Sequence, residues 1–204
     1  MKVILFIATS IFTCSLYAQK ANHPLSQRIE SAQVGLFVHS ISLPFSASNH
    51  FVGLNRLPGI SAGVGLDIGK NQKKLDAKYS VAFSAYHQKN LHNGFELNNI
   101  LLLQYELFPG FHLEGGPGLG YLHTFEDAPV YRLEGGEYQQ VRSWGRAQVT
   151  ASMLLGIFVP VSQRIGIVTN YQFLFQWPFA TKAGVFFIPQ SRINLGTRIN
   201  INLS

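Results

Sequence analysis

"RAQVTASMLLGIFVPV", Arg146 to Val161, decides how this chain folds. Its odd positions are Ala147, Val149, Ala151, Met153, Leu155, Ile157, Val159 and Val161, apolar without exception, while its even positions begin Arg146, Gln148, Thr150 and Ser152. Alternation with a period of two is the pattern of an extended strand with one oily and one polar face. A typical strand is about five or six residues long, so this one is built to cross something thicker than an ordinary sheet. Its oily face meets either a protein core or lipid, and the rest of the sequence has to decide which.

The same period recurs through the chain. Ile60 to Ile68 alternate with Ser, Gly and Asp; Tyr79, Val81, Phe83 and Ala85 follow; then Phe95 to Leu107, interrupted only by Asn99. Phe111 to Phe125 make a fifth strand, with Gly116, Gly118 and Gly120 on its other face. Arg146 to Val161 is the sixth, Ile165 to Trp177 the seventh and Ile193 to Leu203 the eighth. The first, around Gln33 to Leu43, is partly apolar on both faces. Phe108-Pro109-Gly110 reads as a three-residue hairpin loop with Gly110 left-handed and Leu107 facing Phe111. That register sets Glu106 against His112 and Gln104 against Glu114.

Connections alternate in length. Pro44–Pro58, Glu126–Gly145 and Pro178–Gln190 are long and, with the shorter Lys89–Gly94, fall at one end; Lys70–Ala77, Pro109-Gly110 and Ser162–Arg164 fall at the other. An even strand count with long loops at one end and short turns at the other is the habit of transmembrane barrels.

The opening "MKVILFIATSIFTCSLYAQK" has Lys2, an apolar run from Val3 to Phe12 and small residues at its exit, the pattern of a secretory signal. We expect residues 1–18 to be that signal, 19–32 a polar lead-in and 33–204 one barrel domain. Removal of the signal takes Cys14, the only cysteine, with it. That excludes disulfides, thiolate metal sites and cysteine nucleophiles from the remainder. No remaining apolar run reaches the roughly 20 residues a membrane helix needs. Sixteen Lys and Arg against ten Asp and Glu give a net charge of +6. Lys70, Lys73, Lys74 and Lys78 gather near one turn and the arginines are scattered, with no basic helix or aromatic platform, so no nucleic-acid partner is expected.

Three features choose lipid over a core. The polar faces carry mostly Gly, Ser, Thr, Asn and Gln, with no lysine well inside a strand, which suits a narrow lumen better than a water-facing sheet. The strands exceed the roughly 9–11 residues that cross a bilayer at the usual tilt. Aromatics fall near both ends of the oily rows, as girdles do at membrane interfaces.

In this pattern the chain resembles the small eight-stranded outer-membrane β-barrel proteins of Gram-negative bacteria. The resemblance covers nearly all of residues 33–204 and lies in strand periodicity and loop asymmetry. It implies an all-β fold: an eight-stranded antiparallel up-and-down transmembrane β-barrel in the cell outer membrane, in contact with lipid and lipopolysaccharide. It also implies delivery by the barrel-assembly machinery, which reads an apolar-alternating last strand, often with a terminal aromatic. Here "GTRININLS" keeps the alternation and ends Leu203-Ser204.

Even positions on strands four to eight should then face the lumen. Among them, Glu96, Glu106, His112, Glu114, Arg146, Arg192 and Arg198 are the expected polar network, joined by Gln104, Gln148, Asn170, Gln172, Asn194 and Asn200. Buried charges need partners, so the simplest reading is a plug of ion pairs. No cofactor and no metal are expected, because the histidines (His39, His50, His87, His92, His123) lack ligand spacing. No catalytic set is evident: His39 and Ser40 are adjacent and point to opposite faces, and His123 has Glu126 but no serine in step. "GGPGLG", Gly115 to Gly120, is not a nucleotide loop, since the spacing is wrong and no helix follows. The long link within 126–145 mixes aromatics with charges and is the expected external contact surface. The expected role is structural or adaptor, and the alternatives are a narrow pore, a lipid A-acting enzyme and a secreted soluble ligand-binding barrel.

Overall fold

A computed structural model describes residues 29–40, 57–72, 74–88, 92–126, 130–141, 144–178 and 186–201. The expected signal and most of the lead-in lie outside those residues. Eight long strands form the wall: β1 (Ile29–Ser40), β2 (Leu57–Gln72), β3 (Leu75–Gln88), β4 (His92–Phe108), β5 (Phe111–Glu126), β8 (Arg146–Pro160), β9 (Ile165–Trp177) and β10 (Ile188–Asn200). Two short ones, β6 (Val130–Glu134) and β7 (Glu137–Val141), form a separate hairpin. The wall closes in the order β1-β10-β9-β8-β5-β4-β3-β2, every pair antiparallel, with β1 and β10 zipped from Ser31↔Asn200 to Ser40↔Ser191.

The barrel is turned inside out relative to a soluble one. In β9 the odd residues from Ile165 to Trp177 are exposed or half-buried on the outside, while Val168, Asn170, Gln172, Leu174 and Gln176 are buried. In β8, Met153 and Leu155 are about half exposed, at 48% and 50%, while Gln148, Thr150, Leu154 and Phe158 are buried. Leu36, Ile60, Leu119 and Leu195 lie on the same outer surface, each more than half exposed. A contiguous exposed apolar surface of this extent is what lipid contact demands and water forbids.

Both ends follow the expected asymmetry. The strand ends that flank residues 41–56, 127–145 and 178–187 lie at one end of the barrel, and those that flank 73–74, 109–110 and 161–164 lie at the other. Strands run further than expected into several links, most at the β2–β3 turn. β1 takes in residues 29–32 of the expected lead-in, because Ser31 and Ala32 pair with both β2 and β10. At the β4–β5 turn, Gly110 is left-handed as expected, with φ of 80°. The loop itself differs: Phe108 pairs with Phe111, and the register shifts at Leu107 instead of opposing it to Phe111. A bulge there keeps both oily rows outside while the turn tightens to Pro109-Gly110, and the two phenylalanine rings stack at 4.8 Å.

The expected loop 126–145 contains the β6–β7 hairpin. Gly135 and Gly136, both at positive φ (64° and 90°), make the two-residue turn that such a hairpin needs.

Candidate functional site

Among the described residues, two ion pairs cross the lumen. Arg192 on β10 reaches Glu96 on β4, with side chains only 2% and 0% exposed. Arg198, also on β10, meets Glu114 on β5 in a two-pronged bond, with Nη1 to Oε1 and Nη2 to Oε2, the latter at 2.8 Å. Every member holds an inward position because each sits on an even-numbered row of its strand, opposite the oily one.

Each pair is boxed in further. Thr150 donates to Glu96 Oε1 at 2.8 Å. The Arg192 guanidinium lies 5.0 Å from the Phe37 ring centre and 5.8 Å from that of Tyr86, so two aromatic faces cover it. Phe37 and Tyr86 are accommodated by glycines on neighbouring strands: a Cβ at Gly59 would fall 2.2 Å from the Phe37 ring, and one at Gly94 2.2 Å from the Tyr86 ring. Arg198 also donates to Gln33 at 3.2 Å and lies 4.7 Å from the Phe158 ring centre. Each buried charge thus faces an opposite one, although Arg192 Nε and Nη2 make no hydrogen bond.

Of the other expected lumen residues, Gln104, Gln148, Asn170 and Gln172 are buried, and Asn194 donates to Asn170 at 2.6 Å. Glu106 and His112 are cross-strand partners, as the register required, but half-buried at the turn end and outside the two ion pairs. Arg146 is a correction. Its side chain is 44% exposed at the loop end of β8, 3.8 Å from Glu126 at the rim, instead of enclosed in the lumen. As the first residue of β8, it lies level with the mouth, where water solvates a guanidinium.

The lumen also holds residues the polar-face reading missed. Lys78, buried in β3, binds Glu30 of β1 at 2.9 Å, against the expectation of no lysine well inside a strand. His39 is fully buried, its ring tilted against that of Tyr86 with centroids 4.3 Å apart. Apolar side chains share the interior as well, in a Phe37–Tyr86–Leu122 cluster and an Ile100–Leu102–Leu154 cluster. Beside the Arg198–Glu114 pair is a cavity of about 60 Å³ with a mixed polar and apolar lining, against the small side chains of β2 and β3. That is room for about four water molecules.

Among the described residues, the remaining histidines form no cluster. His87 pairs with Asn93 at 2.6 Å. His123 stands between the Tyr121 hydroxyl, 2.8 Å from its Nδ1, and the Trp144 carbonyl, 2.9 Å from its Nε2. It thereby ties the returning leg of the long loop to the barrel wall. His50 lies outside the described residues.

No family model matches the chain, and no curated protein matches it. Solved structures do. Neisserial surface protein A aligns with a TM-score of 0.56 at 12% identity, over 84% of this chain and 95% of that one. The N-terminal β-barrel domain of Pseudomonas aeruginosa OprF aligns at 0.42 and 13% identity, over 86% of this chain and all of that one. The outer membrane enzyme PagL aligns at 0.45 and 9% identity, over 84% of this chain and 99% of that one. The first likeness shows that the fold is that of a small eight-stranded outer-membrane barrel.

Proposed function

We propose that the chain is a structural or adaptor protein of the Gram-negative outer membrane, with a lumen plugged by ion pairs and a contact surface on its longest loop. The observation that carries this is the pairing of Arg192 with Glu96 across the bore, under the Phe37 and Tyr86 rings. A conducting path needs a continuous wet bore, and eight strands leave little once side chains fill it. The apolar outer surface supplies the membrane address, and the β6–β7 hairpin extends from the loop end, where Tyr131, Leu133 and Tyr138 are exposed. Contact with lipopolysaccharide and with a protein partner belongs to that end; contact with the assembly machinery belongs to biogenesis.

The test is conductance across a planar lipid bilayer containing the purified protein. We expect a silent membrane; steady unitary currents would replace the plug with a pore. Mass analysis of lipid A with and without the protein checks the enzyme alternative, which requires a shortened or transferred acyl chain. Recovery in periplasmic fluid without detergent would sink the membrane reading itself.

A further inference from the structure

Asn99 stands in the outward row of β4 between Leu97 and Leu101, near the middle of a strand of 17 residues. A carboxamide at that depth faces hydrocarbon, where nothing in the lipid can hydrogen-bond it. The protein meets half of its needs: the Tyr79 hydroxyl donates to its Oδ1 at 2.9 Å, and its Nδ2 donates to the Leu119 carbonyl at 3.4 Å. A primary amide has two N–H donors and two acceptor lone pairs. One N–H and one lone pair are left.

The surface around Asn99 is recessed. A groove of about 600 Å³ runs along the outside, with Leu101, Pro117, Leu119 and Ala151 among its walls. The recess comes from short side chains at Pro117 and Ala151, and Pro117, with no N–H to give, interrupts the ladder beside it. The β4–β5 ladder pairs Ile100 with Gly118 and next Leu103 with Gly115. Small side chains around a polar one are the composition of protein contacts inside bilayers, where backbones approach closely and hydrogen bonds hold them.

We infer that a second copy of this chain occupies the groove, forming a two-fold dimer in which each Asn99 amide donates to the other. One spare donor and one spare acceptor on the same amide are complementary to themselves under a two-fold rotation, as an isologous contact requires. An acyl chain would fill the groove without engaging the amide, and polar head groups lie about 15 Å away at the bilayer surface. The inference rests on the membrane placement proposed above.

The test uses the full chain carrying Cys14→Ser, reconstituted at low density in phosphatidylcholine vesicles. Ala151→Cys places a thiol in the groove, and Leu36→Cys places one on β1, on the opposite side of the ring from β5. We expect thiol cross-linking and energy transfer between labelled copies to report a dimer through Cys at 151 and not at 36. Asn99→Leu, an apolar change on a lipid-facing surface, should fold normally and weaken the dimer by about tenfold, from the loss of two intramembrane hydrogen bonds. Monomers by energy transfer, equal cross-linking at both positions, or an unweakened Asn99→Leu dimer each overturn the inference while leaving the barrel in its membrane. A chain that never inserts into vesicles overturns the membrane reading and this inference together.

Discussion

Arg192 and Glu96 meet from strands that never touch: β10 and β4 stand four places apart in a ring of eight, so the pair spans the diameter of the barrel. A strut of this kind couples two walls that no backbone ladder joins. Removing one member leaves the other charged and buried, which costs about 3–5 kcal/mol. We therefore expect Glu96→Leu and Arg192→Met each to destabilise the barrel by that order. The double variant should recover much of the loss, because an apolar pair of similar volume avoids the desolvation cost. Urea unfolding of vesicle-inserted protein checks this; equal losses for the double and the sum of the singles would show that the two residues act separately.

Met153 tests the outer surface. It is central in β8 and 48% exposed, and its row meets hydrocarbon if the membrane placement is right. Met153→Arg should then cost about 2–4 kcal/mol of folding stability in a bilayer, since that is the toll of a cation at the midplane of a barrel. On a water-facing sheet the same change is close to neutral. A neutral result in vesicles would return the oily rows to a soluble barrel.

The strand pattern was legible because period two survives on the lipid side, where every residue answers to one solvent. The lumen was legible only in part, because a narrow interior accepts any side chain that finds a partner. Arg198 and Glu114 could be gathered by face, but not which charge pairs with which, since that depends on how the strands are staggered around the ring. Lys78 sits beside the turn in the apolar alternation, but β3 starts earlier than that alternation suggests and carries it into the wall. Phe37, Leu122 and Phe158 break the polar row, and their burial follows from closure of the barrel. The β6–β7 hairpin had a signal that went unused: "YRLEGGEYQ" places Gly135-Gly136 between two short alternating runs.

Gly59 tests how tightly the upper strut is packed. Its missing side chain makes room for the Phe37 ring, whose Cζ, Cε2 and Cε1 would lie 2.2 to 2.7 Å from an added Cβ. Gly59→Ala should destabilise the barrel by about 1–3 kcal/mol as Phe37 is driven from its rotamer. Phe37→Leu should restore part of that loss in the Gly59→Ala background, although alone it loosens the cover on Arg192. Unfolding midpoints of the two singles and the double decide; a harmless Gly59→Ala would mean the ring relocates freely.

The hairpin should be separable from the barrel that carries it. β6 and β7 pair only with each other, and Tyr131, Leu133 and Tyr138 share one face, exposed by 57%, 59% and 76%. Two strands by themselves are marginally stable in water, so this hairpin draws little from the wall and returns little to it. Replacing residues 130–141 by a short Gly-Ser linker should leave the unfolding free energy of the barrel within about 0.5 kcal/mol, the usual range for surface changes. Leu133→Ser and Tyr138→Ser should leave it unchanged too, while removing the apolar contact the loop offers. Capture of outer-membrane components on the immobilised barrel reads that contact, and it should fall in the linker variant and in both serine variants alike. A barrel that loses several kcal/mol with the linker would instead make the hairpin a brace for the wall, through the Trp144 carbonyl that His123 holds at 2.9 Å.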